Sequence, residues 1–258
     1  VHYRRMHHDE IDRPEWDQPR RPAPPDRRVA ICTTPRSGSY LLCRQMIHAG
    51  LGLPAEYFRD WSIRPLAARW GAAAGDDDAY IDELEARRTS ANGVFAAKVQ
   101  WHHLKAHPRV RERLLARADL VVFLYRRDVV AQAVSWQVSL ATGFWSFDAT
   151  PGPKAPDASL DDPGLTLGLA NELARQNRAW QELLRTLGRK VLAVPYESYV
   201  TGQSELLSRI AADLALPDGA WTLPPSEPRD GRLPDDVEAA RARLLAQARA
   251  ALPAPTGA

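Results

Sequence analysis

The residues best suited to chemistry in this sequence lie in Thr34-Pro35-Arg36-Ser37-Gly38-Ser39, a short loop between an apolar run and a helix-like segment. A helix that starts at such a loop presents unpaired backbone N–H groups and a partial positive charge, and together these suit an anion. Gly38 lets the backbone approach a phosphate or sulfate closely. Arg36 can fork two donors onto its oxygens, and Ser37 and Ser39 add hydroxyl donors. The same letters also fit a plain helix N-cap built on Ser37 or Ser39. A nucleotide-binding loop of the Gly-x-x-x-x-Gly-Lys-Ser/Thr kind does not fit, because no lysine precedes Ser39 and the glycine spacing fails. No obvious acidic strand end offers a magnesium ligand, so the loop suits an anion handled without a metal. A second constellation lies in Tyr125-Arg126-Arg127-Asp128 and the segment that follows to Ser135-Trp136. With Arg127 at a strand end and Ser135 two helical turns on, both side chains could reach one terminal phosphate. An Arg/Asp surface turn and a serine packed in a helix would give the same residues.

These side chains need elements to position them. Val29–Thr33 is a short β-branched apolar run and predicts a buried strand. Ser39–Ile47 has apolar positions recurring at three and four residues and predicts a helix stopped by Gly50. Further strands are predicted at Gly93–Val99, Leu120–Tyr125 and Lys190–Val194, and further helices at 109–118, 128–141, 165–187, 205–214 and 235–251. Residues 143–164, with several Pro, Gly and Asp, predict a long loop. Short apolar strands alternating with helices imply an α/β fold, a single domain with a mostly parallel central sheet flanked by helices. Ligands in such sheets bind beyond the carboxyl ends of the strands, where both constellations fall. Residues 1–28 are polar and rich in Pro and Arg, and predict a flexible or surface-clinging arm ahead of a domain spanning 29–258.

The bulk numbers exclude some partners. The chain has 258 residues, and its 34 basic and 32 acidic side chains leave a formal net charge of +2. That near balance argues against nucleic acid as the main partner. Cys32 and Cys43 read as two small buried residues rather than a disulfide, and no Cys/His cluster has zinc spacing. With no apolar run of membrane length and no leader-like start, the chain reads as soluble, reduced and cytoplasmic.

The pair of constellations resembles the sulfotransferases that use 3′-phosphoadenosine-5′-phosphosulfate (PAPS), and more narrowly the bacterial family typified by trehalose 2-sulfotransferase. The resemblance runs in order through Thr34–Cys43, Pro54-Ala55-Glu56-Tyr57-Phe58, Phe95–Trp101, Arg126–Ser135 and Arg175–Trp180, from about residue 29 to 215. It implies a P-loop-like sulfotransferase fold and PAPS as sulfonate donor, with adenosine 3′,5′-bisphosphate (PAP) as product and no metal. Pro35, Arg36, Ser37, Gly38, Ser39 and Tyr40 would hold the 5′-phosphosulfate, and Arg127 and Ser135 the 3′-phosphate. The family usually has Thr where this chain has Tyr40, which marks the site entrance as different here.

In the resembled family the glutamate of the Pro-x-Glu segment is the proposed general base, here Glu56, and burial beside Tyr57 and Phe58 is expected to raise its pKa. His102 and His103 are rival bases. Lys98 is either a neutralising charge at the sulfonate or a solvated strand-end lysine. Tyr57, Phe58, Trp101 and Trp145 are the candidates for contact with the acceptor, a hydroxylated small molecule such as a sugar, glycolipid or natural product. Trp136 reads as core, Tyr196 as structural or close to the adenine, and Arg229 and Arg232 as a solvated loop or an addition to the 3′-phosphate site. The family also implies a homodimer. A small-molecule kinase and a non-catalytic nucleotide-binding protein are the competing readings.

Overall fold

The computed structural model describes residues 13–73, 75–145, 154–155, 158–226 and 233–251. Four strands, β1 (Arg27–Thr33), β2 (Val94–Gln100), β3 (Leu120–Tyr125) and β4 (Val191–Pro195), form one sheet in the order β2-β1-β3-β4. Every neighbouring pair is parallel. The register sets Thr33 beside Gln100 and Leu124, and Tyr125 beside Pro195, so the four carboxyl ends lie along one edge. Apolar residues on both faces of β1, β2 and β3 explain why these strands are covered on both sides.

Ten helices surround the sheet among the described residues: α1 (Ser39–Ala49), α2 (Asp60–Trp70), α3 (Asp77–Arg88), α4 (Trp101–Ala106), α5 (Arg109–Arg113), α6 (Val129–Thr142), α7 (Pro163–Thr186), α8 (Tyr196–Tyr199), α9 (Gln203–Asp213) and α10 (Asp235–Ala250). On one face, Cys32, Phe95, Val99 and Phe123 pack with Leu66 of α2, Tyr80 of α3 and Trp180 of α7. On the other, Ile31, Ala96 and Val122 pack with Leu42 and Met46 of α1 and Leu207 and Ile210 of α9. The alternation along each strand is the two-residue period of a pleated strand. A smaller cluster joins Val134 and Val138 of α6 to Val237 and Leu244 of α10.

Helix ends follow ordinary capping chemistry. Asp128 and Asp162 accept hydrogen bonds from the Ala131 and Leu165 amides at 2.8 and 3.1 Å, and Gly50 and Gly143 close α1 and α6 in the left-handed conformation. The expected α/β fold is thus the observed one. Four helices go beyond it: α2, which carries Pro65 in its interior, α3, and the short α4 and α8, all in stretches that received no assignment from the sequence. The helix expected over 109–118 is α5 followed by a 3₁₀ turn at Leu115–Arg117.

The described part of the amino-terminal segment clings to α3. The Gln18 and Arg21 amides donate to the Arg87 and Ala86 carbonyls at 2.8 and 2.9 Å. Asp17 accepts from the buried Arg88 guanidinium at 2.8 Å and from Trp70 Nε1 at 2.9 Å. The first twelve residues, much of the expected 143–164 loop, and Arg229 and Arg232 lie outside the described residues. Cys32 and Cys43 are buried free thiols, and no helix among the described residues is long and apolar enough to cross a membrane.

Candidate functional site

The loop at the end of β1 is gripped from two helices. Gln132 of α6 donates to the Pro35 carbonyl at 2.6 Å and to Thr34 Oγ1 at 3.0 Å. From α7, Trp180 Nε1 donates to the Thr33 carbonyl at 2.9 Å, and Asn177 Oδ1 accepts from Thr34 Oγ1 at 3.3 Å. Thr33 Oγ1 reaches the Leu124 carbonyl at 3.1 Å and meets the Ser37 hydroxyl. Within this frame Arg36 adopts φ 63° and Gly38 φ 87°. Arg36 is held in a region that non-glycine residues rarely occupy. At Gly38 a Cβ would lie 2.4 Å from Tyr196 Cδ2, so the ring closes the loop on a position only glycine can fill. Ser37 and Ser39 are buried at the start of α1.

The second constellation meets the first. Arg36 Nε donates to Ser135 Oγ at 3.2 Å, and the same guanidinium donates to the Trp145 carbonyl. Ser135 and Trp145 are half-buried. At the head of α6, Glu197, just past β4, accepts from the Arg127 amide at 3.2 Å and the Asp128 amide at 3.4 Å. Asp128 caps α6 and pairs with Arg249 of α10 at 2.7 Å. The turn is therefore fixed through its backbone and its aspartate, and the exposed Arg127 side chain projects from it. The Arg126 guanidinium lies 4.6 Å from the Tyr196 ring centroid, on the residue that packs against Gly38.

A third group of side chains stands at the β2 end. The Lys98 amide donates to the Ala55 carbonyl at 2.9 Å, which lays the 53–58 segment along the sheet edge and brings Glu56 to Lys98. Lys98 Nζ is 2.7 Å from Glu56 Oε1, Arg59 Nη1 is 3.2 Å from Oε2, and Gln100 Nε2 donates to Oε1 at 3.0 Å. Lys98 is 1% exposed, which disposes of the solvated-lysine alternative.

The electrostatics correct one expectation. Burial alone pushes the Glu56 carboxyl up and is the largest single influence. The charges of Lys98 and Arg59, with His103 and the Gln100 hydrogen bond, together outweigh it and hold the group well below its ordinary 4.5. Burial opposes the charge on Lys98, but Glu56 holds its ammonium above the ordinary lysine value. Burial lowers His103 to about 3, and its Nδ1 accepts from the Gln100 amide at 3.1 Å. The neutral ring therefore carries its proton on Nε2. His102 is exposed, and burial of part of its ring lowers its pKa too.

The remaining expected residues divide. Tyr57 and Phe58 are 1% and 2% exposed; Tyr57 donates to the Leu53 carbonyl at 2.5 Å and Phe58 stands edge-on to Tyr80, so both belong to the core in this structure. Trp101 packs edge-on against Trp180 at 5.2 Å, with its indole N–H buried and without a hydrogen-bond partner among the described residues. Gln100 Oε1 and His103 Nε2 are in the same condition. These three buried polar atoms lie within four consecutive residues, at the end of β2 and in the first turn of α4. Sequence reasoning assigned no role to Gln132, Asn177, Trp180, Glu197, Gln100 or Arg59. For Asn177 and Trp180 a signal existed: they are three apart on one helix face, inside a segment already singled out.

A sequence model of the family described as Stf0 sulphotransferase matches residues 29–237. The chain is also similar to trehalose 2-sulfotransferase of Mycobacterium tuberculosis (strain ATCC 35801 / TMC 107 / Erdman), 23% identical over 193 residues, a match covering 60% of this chain and 72% of that protein.

Proposed function

The chain belongs to the Stf0 sulphotransferase family, and from that premise we propose that it moves a sulfonate from PAPS to a hydroxyl group of a small-molecule acceptor. The observation that carries this reading is the Arg36–Ser135 hydrogen bond. It joins the loop suited to a 5′-phosphosulfate to the serine suited to a 3′-phosphate, so one nucleotide with phosphates at both ends can engage both. Left-handed backbone at Arg36 and Gly38, followed at once by the start of α1, supplies the concave set of amides that an anion requires.

In the transfer, the acceptor oxygen attacks sulfur in line with the bridging oxygen. A new O–S bond forms, the bond from sulfur to the 5′-phosphate oxygen breaks, and PAP leaves with its electron pair. Arg36 and the loop amides stabilise the charge gathering on the leaving phosphate. The acceptor hydroxyl proton passes to Glu56. A carboxylate clamped by two cations is a weak base. Movement of the Lys98 ammonium toward the bridging oxygen serves both ends, because it neutralises the leaving group and restores basicity to Glu56 when the proton must be taken. Trp101 and Trp145 flank the acceptor side. The relative's name specifies trehalose; for this chain we propose the broader class of sugar, glycolipid or natural-product hydroxyls. Two buried free thiols suit a reducing cytoplasm.

The donor assignment is tested by ligand-induced thermal shift. PAP is expected to raise the melting temperature more than ATP or AMP, and the reverse order would refute it. Mass spectrometry of reactions containing PAPS and a panel of hydroxylated metabolites then identifies the acceptor by an added sulfonate.

A further inference from the structure

Tyr40 is the second residue of α1, next to Ser39 of the anion loop. Its ring lies against the other chemical group of the site: Lys98 Nζ is 3.5 Å from the ring centroid. That ammonium is almost wholly removed from water and has Glu56 Oε1 at 2.7 Å as its ionic partner. A desolvated cation needs compensation on more than one side, and the negative face of an aromatic ring provides it. The attraction is to the ring face, so it does not depend on the phenol hydroxyl.

We propose that Tyr40 is a positioning residue for sulfonyl transfer, its ring face holding the Lys98 ammonium at Glu56 and tying that pair to the helix whose start forms the anion loop. This rests on the sulfotransferase reading above. Ser39 and Tyr40 are consecutive, so an anion that draws in the first turn of α1 also moves the surface on which Lys98 rests. The loop and the proton-accepting carboxylate lie on different strand ends, and Tyr40 is the side chain that spans them.

The groups facing Glu56 and Lys98 are Arg59 ahead of α2, His102 and His103 of α4, and Tyr40 and Cys43 of α1. His103 stays neutral above about pH 3, and the Cys43 thiol is pushed up to about 12 by burial. Glu56 and His102 are left as the groups able to shape the acid side of a turnover profile. Without the ring, Lys98 is released from Glu56 and the carboxyl is protonated at higher pH. Tyr40→Leu is therefore expected to move the acid limb of kcat upward, with a smaller change in KM for the donor, and to do so equally in a His102→Asn background. Tyr40→Phe, which keeps the ring, is expected to leave the limb in place.

The contact is tested without catalysis by a double-mutant cycle on the ligand-free full chain. Tyr40→Leu and Lys98→Met are expected to couple by roughly three- to thirtyfold in the unfolding equilibrium constant. The cycle of Tyr40→Phe with Lys98→Met is expected to be additive within about twofold. An additive leucine cycle, or a phenylalanine cycle coupled as strongly as the leucine one, overturns the proposal, as does an acid limb that moves equally in both variants. A coupled leucine cycle in a chain that sulfates no acceptor refutes the sulfotransferase reading and not the contact, while an additive cycle in an active enzyme refutes the role of Tyr40 alone.

Discussion

Removing the Glu56 charge is the perturbation with the largest consequence that can be worked from the structure. The Glu56 side chain is 9% exposed and Lys98 1%, and Arg59 at 11% shares the carboxylate. Glu56→Gln leaves two cations beside a group that keeps the shape but not the charge. Breaking a buried pair in this way costs about 3–5 kcal/mol. The amide oxygen still accepts a hydrogen bond, which favours about 3 kcal/mol, or a fall of roughly 6–12 °C in melting temperature for a domain of this size. Lys98→Met costs less, because Arg59 and Gln100 still hold the carboxylate. The double variant is expected to be more stable than the sum of the two by roughly 2 kcal/mol.

The dependence on pH follows from the directions of the two shifts. Glu56 is depressed in the folded chain, so its contribution is present above its ordinary 4.5 and is lost as pH falls through the folded value. Lys98 is raised, so its contribution is present below its ordinary 10.5 and is lost as pH rises through the folded value. From neutrality down to about pH 4.5 the gap between wild type and Glu56→Gln is flat; below about pH 4.5 it narrows. Melting curves from neutrality to about pH 3 check this. A variant as stable as wild type at neutral pH, or a gap that stays constant throughout, would refute the electrostatic account. The same variant should bind PAP normally and lose roughly 10²–10⁴-fold in turnover. Near-full activity would pass the base role to His102, since His103 has its Nδ1 engaged and its pKa near 3.

Two further predictions concern the donor. Arg127→Ala should weaken PAP far more than AMP in calorimetric titration, by roughly 1.5–3 kcal/mol for a charge-assisted contact, with little change in melting temperature because the side chain is exposed; equal losses for both nucleotides would show that Arg127 does not read the 3′-phosphate. Gly38→Ala combines a φ of 87° with a Cβ driven into the Tyr196 ring, and should cost about 1–3 kcal/mol in unfolding free energy and most of the PAP affinity. Wild-type binding by that variant would mean that the loop does not need its observed geometry.

The strands and the two constellations were legible because they depend on local pattern. β-branched apolar runs, Gly50 past the end of a three-four periodicity, and the alternation of strand with helix are written in consecutive residues. α2 and α3 were harder. Pro65 argues against a helix interior, and the acid-rich α3 shows its buried face only as Tyr80, Ile81 and Leu84 among charged neighbours. The surroundings of Glu56 were least legible. Its burial could be anticipated, but not that an edge hydrogen bond from Lys98 to Ala55 delivers a lysine 42 residues away, so the direction of the pKa shift was reversed. Gln132 and Asn177 escaped because a neutral polar side chain on a helix looks the same in sequence whether it faces water or grips a loop.

Two of the grips on the loop come from one face of α6. Gln132 and Ser135 are three apart on α6, hence on one face, and they take hold of Pro35 and Arg36, which are consecutive in the loop. One helix face therefore sets the distance between the loop and the serine. Glu197, from the end of β4, fixes the turn from which Arg127 projects. On the proposed function, three strand ends, those of β1, β3 and β4, would hold the anionic donor at two points. The fourth, β2, supplies Lys98 and Gln100 and borrows Glu56 from the adjoining edge segment. In the proposed reaction, anion binding and proton transfer would therefore occupy different halves of the sheet edge, and the start of α1, where Ser39 adjoins the Tyr40 ring that lies against Lys98, would join them.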